Sequence, residues 1–128
     1  ARRLITGDYT PLLQSREAFA AECYALMQSR CYRPKAIVEY DRKAFIAKEN
    51  KIRVTFDSRI VATESSFDLF DERLNMAPVL DPGAVVMEVK YNGFLLDYIR
   101  WMINTVDQSE LSVSKYMLAR QNGYRYRL

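Results

Sequence analysis

One stretch decides the fold: "NKIRVTFDSRIVA", Asn50 to Ala62. Successive side chains of a strand point to opposite faces. Ile52, Val54, Phe56 and Ile60 therefore share one face, and Arg53, Thr55, Asp57 and Arg59 share the other. An apolar face backed by a charged one is the signature of an antiparallel sheet with different surroundings on its two sides.

Upstream, "KAIVEYDRKAFIA" (35–47) alternates from Ile37 and puts Arg42 on the face of Val38 and Tyr40. The turn between the two segments falls near "KENK" (48–51), which makes them a hairpin. Downstream, "VVMEVKYNG" (85–93) predicts a third strand from Val85 to Tyr91, with Glu88 and Lys90 on the face shared by Val86. Residues 63–84 form a long connection with one short strand at Phe67–Phe70, punctuated by Pro78, Pro82 and Gly83.

Helical spacing appears in three places. "SREAFAAECYALMQSR" (15–30) has Ser15 as N-cap and Phe19, Cys23 and Leu26 as a packing stripe, and it stops before Pro34. "GFLLDYIRWMINTV" (93–106) reads as a largely buried helix with Trp101 and Met102 in the core. Its polar stripe is Asp97, Arg100, Asn104 and Asp107. "SELSVSKYMLARQ" (109–121) gives a second short helix or turn, and "NGYRYRL" (122–128) reads as a closing strand.

The composition narrows the chemistry. With 128 residues, 49% hydrophobic and 27% charged, the chain is one domain or a large piece of one and is not disordered. A net charge of +3 announces no nucleic acid or membrane partner, so any functional positive charge is local. The absence of histidine excludes Ser-His-Asp and Cys-His catalysis and the usual zinc sets, leaving oxygen ligands suited to magnesium or manganese. Cys23 and Cys31 read as reduced core residues of a cytosolic protein. No apolar run reaches the ~18 residues of a membrane span and no signal peptide is visible, so the expected location is cytoplasmic. The opening "ARRLI", without an initiator methionine, reads like the tail of an earlier element.

The charged strand faces carry the functional argument. A solvated sheet face usually leans on Thr, Lys, Glu and Ser, whereas arginine recurs here at Arg42, Arg53 and Arg59. Arginine presents a rigid fork that fits phosphate oxygens. A glutamate among cations, such as Glu88, stays ionised and suits a divalent metal that bridges phosphates. The combination fits a polyanion bound through metal in a closed β-structure with a charged lumen. The plainer alternative is a solvated face, with Glu88 paired to Lys90 and Asp57 to Arg59.

"YDRKAF", "IRVTFD", "MEVKY" and "SVSKY", in that order, resemble the motifs in the C-terminal half of the VTC domain. This is the vacuolar transporter chaperone domain of polyphosphate polymerases, within the triphosphate tunnel metalloenzyme superfamily, and the spelling is similar to the bacterial branch. The resemblance runs from about Ala36 to Arg120, with the helix at 15–30 as the linking helix. It implies an α+β fold, an antiparallel β-tunnel of about eight strands with helices outside. Residues 1–128 would be the C-terminal portion of a single such domain, holding about half of the tunnel strands.

The resemblance also implies a function: transfer of the terminal phosphoryl group of ATP onto polyphosphate, with Mn2+ or Mg2+ as cofactor. Arg42 and Arg53 would clamp phosphate oxygens, with Arg59 as a further phosphate contact. Glu88 would bind the metal, and Lys90 would lie beside it on the lumen face. Ser114 and Lys115 would touch phosphate from a helix near the tunnel mouth. Ser112 stands where polymerases of the family often carry another lysine. The alternatives are an inorganic triphosphatase, or a non-catalytic module for polyphosphate, inositol phosphate or nucleotide. An RNA-binding sheet is disfavoured because Phe56 lies opposite the arginine face, away from where bases would stack. Open strand edges would favour a homodimer.

Overall fold

The structure is a computed structural model that describes residues 2–106 and 112–125, the last four as backbone only. It is α+β: a four-stranded antiparallel sheet with helices. Two compact units divide it, one of residues 1–37 and 63–76, the other of residues 38–62 and 77–128.

The second unit carries the sheet. Strands β1 (Ile37–Ala47) and β2 (Ile52–Thr63) are neighbours joined by a short turn, as the alternation predicts. In that turn Asn50 and Lys51 both take left-handed backbone conformations, with φ of 51° and 48°. Successive left-handed residues match the twist of a tight hairpin. On the other edge of β2 lie two partners in line: β4 (Val86–Lys90) beside its first half and β3 (Ala77–Pro78) beside its end. The register pairs Arg53 with Lys90, Thr55 with Glu88 and Asp57 with Val86. Residues directly opposite share a face, so these six lie on one side, while Val54, Val89, Phe56 and Met87 lie on the other.

Arg59, inside β2, has a φ of 51°. One left-handed residue in a strand produces a bulge and reverses the phase of the side chains that follow. Burial follows the reversal: Thr55 and Asp57 are buried before it, and Ile60 and Ala62 after it. Ile60 therefore does not continue the face of Val54 and Phe56. The predicted strand at Phe67–Phe70 does not form; the short strand is Ala77–Pro78 instead. Ser66 Oγ and Asp68 Oδ1 accept hydrogen bonds from the backbone N–H groups of Asp68 and Phe70, and these local bonds hold a turn.

Helix α3 spans Asp97–Asn104, shorter than predicted. Ile99 is its buried residue, and Ile99 and Ile103 line an apolar cavity of about 380 Å³ against Val54, Phe56 and Met87. Trp101 is 70% exposed, because it stands two residues from Ile99 and so on the far side of the helix. Met102 is half exposed, and neither is core as the composition suggested. Helix α4 runs Lys115–Arg125, so the part of "NGYRYRL" within the described residues is helical rather than a strand. Asp107, residues 109–111 and residues 126–128 lie outside the described residues.

The first unit holds α1 (Arg2–Ile5) and α2 (Ala18–Ser29) around Tyr9, which is 3% exposed and donates its hydroxyl hydrogen to the Tyr32 carbonyl. The N-cap of α2 is Glu17, not Ser15, whose Oγ accepts from the Glu17 N–H two residues too early. Phe19 and Leu26 are exposed, so the expected stripe is not packed. The apolar residues of α2 surround the helix (Phe19, Tyr24, Leu26 and Met27 among them), so no single face is directed inward. Cys23 is half-buried, and Cys31 is exposed on a left-handed backbone rather than in a core. Among the described residues no helix is long and apolar enough to cross a membrane.

Candidate functional site

Asp57 organises the charged face of the sheet. Its side chain is fully buried, and three charge-assisted contacts hold it. Arg42 on β1 donates from Nε to Oδ1 at 2.6 Å and from Nη2 to Oδ2 at 2.7 Å. Lys115, the first residue of α4, places Nζ 2.6 Å from Oδ2. The Tyr40 ring lies 5.0 Å from both cationic centres, which adds cation–π attraction. Both carboxylate oxygens are thereby engaged, and a buried acid with two cationic partners meets the condition under which a buried charge is tolerated.

The electrostatics follow. The Arg42 hydrogen bonds hold the Asp57 carboxyl down at about 2, well below the ordinary 3.8, with Lys115 adding to the effect against the cost of burial. Arg42 is raised above its already high value, chiefly by the same bond. The two cations are not exhausted: Arg42 remains 35% and Lys115 21% exposed, each with N–H donors left over.

Glu88 and Lys90 stand next on the same face, with Lys90 Nζ 2.9 Å from Glu88 Oε1. That bond is the main reason the Glu88 carboxyl sits below its usual range, and Lys115 and Arg42 are near enough to contribute. Arg53, opposite Lys90, is exposed and makes no ion pair among the described residues. The structure thus brings Arg42, Arg53, Glu88, Lys90 and Lys115 onto one face. Ser114 precedes α4, and its Oγ accepts from the Met117 N–H at 3.4 Å, so it serves as a helix cap.

Arg59 does not join them. The bulge turns it outward, 76% exposed, and it pairs with Asp41 across the hairpin. Asp57 and Arg59 are not partners, since the bulge separates residues that simple alternation would have put side by side.

Two residues on this face were not singled out by sequence. The alternation offers Asp57 as an alternative partner of Arg59, whereas it is the buried centre of the cluster. Thr55, 2% exposed and opposite Glu88, has a buried hydroxyl with no hydrogen-bond partner. A buried orphan hydroxyl costs roughly 1–3 kcal/mol, which makes its place on the charged face informative. Among the described residues, no group of three or more acidic or thiol side chains forms a preformed metal cage.

Replacing Asp57 with asparagine keeps the volume and removes the charge. The depressed folded value implies about 2 kcal/mol of stability at neutral pH. That contribution is complete above the unfolded value near 3.8 and is lost as pH falls through about 2. Urea unfolding should show Asp57→Asn less stable at pH 7 and the two proteins converging in strong acid. A constant gap at every pH would refute the linkage.

An antiparallel four-stranded sheet with helices, carrying a cluster of cations around a buried aspartate, defines the class of the protein as an α+β domain with one charged sheet face. The family is then shown directly. The chain belongs to the VTC domain family, whose model matches residues 2–123, more than the stretch of motifs alone. Membership links it to polyphosphate-related function. No curated protein and no solved structure matches the chain significantly.

Proposed function

We propose that the chain binds triphosphate or polyphosphate on the charged face of its sheet together with a divalent cation. In this reading it transfers the terminal phosphoryl group of ATP to a polyphosphate chain. One observation supports the proposal: on the charged face of β2 Thr55 and Asp57 are buried, although Arg53 at its start is exposed, while on the opposite face Ile52 is buried and Val54 and Phe56 are half-buried. A merely solvated face would leave Thr55 and Asp57 open to water. In this reading the sheet is one wall of a tunnel and residues 1–128 are its C-terminal portion.

Phosphoryl transfer asks the protein mainly to position groups and neutralise charge. Asp57 commits two of the five N–H donors of Arg42 and fixes the fork, which leaves three donors for a ligand. Lys115 is held in the same way from α4. Arg53 and Lys90 extend the contact along the strands, and Ser114 lies beside Lys115 at the start of the helix.

Four cations (Arg42, Arg53, Lys90, Lys115) against two carboxylates (Asp57, Glu88) leave the cluster at +2, less than the charge of a triphosphate. A single available carboxylate, Glu88, fits a magnesium- or manganese-type ion that keeps waters and takes its other ligands from phosphate oxygens. When bound, the ion would offset charge on the transferred group and the leaving oxygen.

The alternatives of triphosphatase and non-catalytic module use the same face and differ in product. Incubation of the protein with ATP and manganese is expected to yield long polyphosphate, visible on a gel. Orthophosphate alone would favour the triphosphatase, and triphosphate binding without product would favour the module. Failure to bind triphosphate at all in calorimetry would end the reading.

A further inference from the structure

A second basic site lies at the hairpin end of the sheet, beyond the cluster around Asp57. There Lys48, Lys51, Arg53 and Lys90 line a recess of about 280 Å³ together with Ile46 and Ala47. Four of its six lining residues are cationic and none is acidic; Glu49, in the turn between the lysines, does not line it. Arg53 and Lys90 belong both to this recess and to the charged face, so the two are continuous.

The turn that presents the lysines is held. Asn50 Nδ2 donates to the Phe94 carbonyl at 2.8 Å, and the Asn92 N–H donates to the Asn50 carbonyl at 2.8 Å. Both bonds tie the hairpin tip to the segment that leads into α3. Lys51 sits in a left-handed conformation, which a lysine adopts only at a cost and which those ties maintain. Clustered like charges on a fixed turn repel each other when no counter-charge is present, so the arrangement suits an anion.

We propose that this recess is a distal phosphate subsite, taking the part of a linear polyphosphate that extends past the phosphates held by Arg42 and Lys115. The inference rests on the function proposed above and adds chain length to it. Lys51, in the turn just before β2, is six residues from Asp57, at most roughly 20 Å at the rise of a strand. A chain lying on that face meets Arg42 and Lys115, then Arg53 and Lys90, then Lys48 and Lys51. A triphosphate seated at Arg42 and Lys115 is too short to span all of it.

The test compares Lys48→Gln/Lys51→Asn with the unaltered protein, asparagine being chosen because it tolerates the left-handed conformation. Lys48→Glu, at an ordinary backbone position, is the second variant. Calorimetry with inorganic triphosphate and with long-chain polyphosphate, over a series of salt concentrations, gives the readout. The expected result is a loss of roughly 10-fold or more for long-chain polyphosphate and less than about 3-fold for triphosphate. The slope of log affinity against log salt should also fall by roughly 1–2 for the long chain, as two phosphate contacts disappear. Equal loss for both ligands would mean a general field effect and would overturn the subsite, as would no loss for either. If the unaltered protein binds neither ligand, the proposed function itself fails.

Discussion

Alanine at Arg42 should weaken triphosphate binding by at least roughly 10²-fold, because several charge-assisted hydrogen bonds vanish together. The loss does not stop at the missing fork. Asp57 is fully buried and would be left with Lys115 as its one remaining ion-pair partner. The Lys115 ammonium would be drawn wholly to that carboxylate, and the cluster would fall from +2 to +1. Arg42 supplies the largest influence holding the Asp57 carboxyl low, so its removal raises that carboxyl and moves acid unfolding to higher pH. Arg42→Lys separates charge from geometry: it restores the cation without the two-pronged contact to Asp57. It should therefore recover part of the acid resistance while leaving triphosphate affinity poor. Calorimetry with triphosphate and urea unfolding across pH 2–7 provide the measurements. Triphosphate affinity within about 3-fold of normal in Arg42→Ala would remove Arg42 from the binding site.

How much of this was legible in the sequence depends on whether the signal was local. Strict alternation marked β1, β2 and β4, and it put Arg53, Thr55 and Asp57 on one face of β2 and Glu88 and Lys90 on one face of β4; that the two sets share one side of the sheet comes from the register. The hairpin turn was equally legible, since polar "KENK" contains the asparagine that a left-handed turn favours. The bulge was not, because arginine is no usual marker of a left-handed residue and nothing around Arg59 announces one. That single backbone inversion explains why Ile60 leaves the face of Val54 and Phe56, and why the alternative pairing of Asp57 with Arg59 does not form. The true partners of Asp57 come from β1 and α4, at sequence distances of 15 and 58 residues, which no local pattern encodes. In α3 the aromatic and aliphatic content was overvalued: composition marks residues able to be buried, whereas spacing from Ile99 decides which of them are.

Glutamine at Glu88 should remove metal-dependent turnover by roughly 10²–10³-fold while leaving metal-free triphosphate binding equal or tighter. The two halves of that expectation come from opposite effects of one charge. Of the two cluster carboxylates among the described residues, Glu88 has the single cationic partner, so in the proposed function its loss takes away the anionic ligand offered to a divalent ion. Its loss also raises the cluster from +2 to +3 and frees Lys90 from its 2.9 Å contact, both of which favour a naked polyanion. The Lys90 bond keeps the carboxyl below its ordinary range, so Glu88 is ionised throughout neutral pH and its protonation contributes nothing to the pH dependence there. Stability should barely change, because the pair is part-exposed, at 39% for Glu88 and 56% for Lys90, and such pairs contribute little. Lost activity in a stable Glu88→Gln protein therefore reports on metal binding rather than unfolding. The comparison is product formation from ATP across a manganese titration, set beside triphosphate calorimetry in the presence of a chelator. Turnover with unchanged manganese dependence would exclude Glu88 as the metal ligand. Weaker chelator-treated binding would instead make its main service the orientation of Lys90.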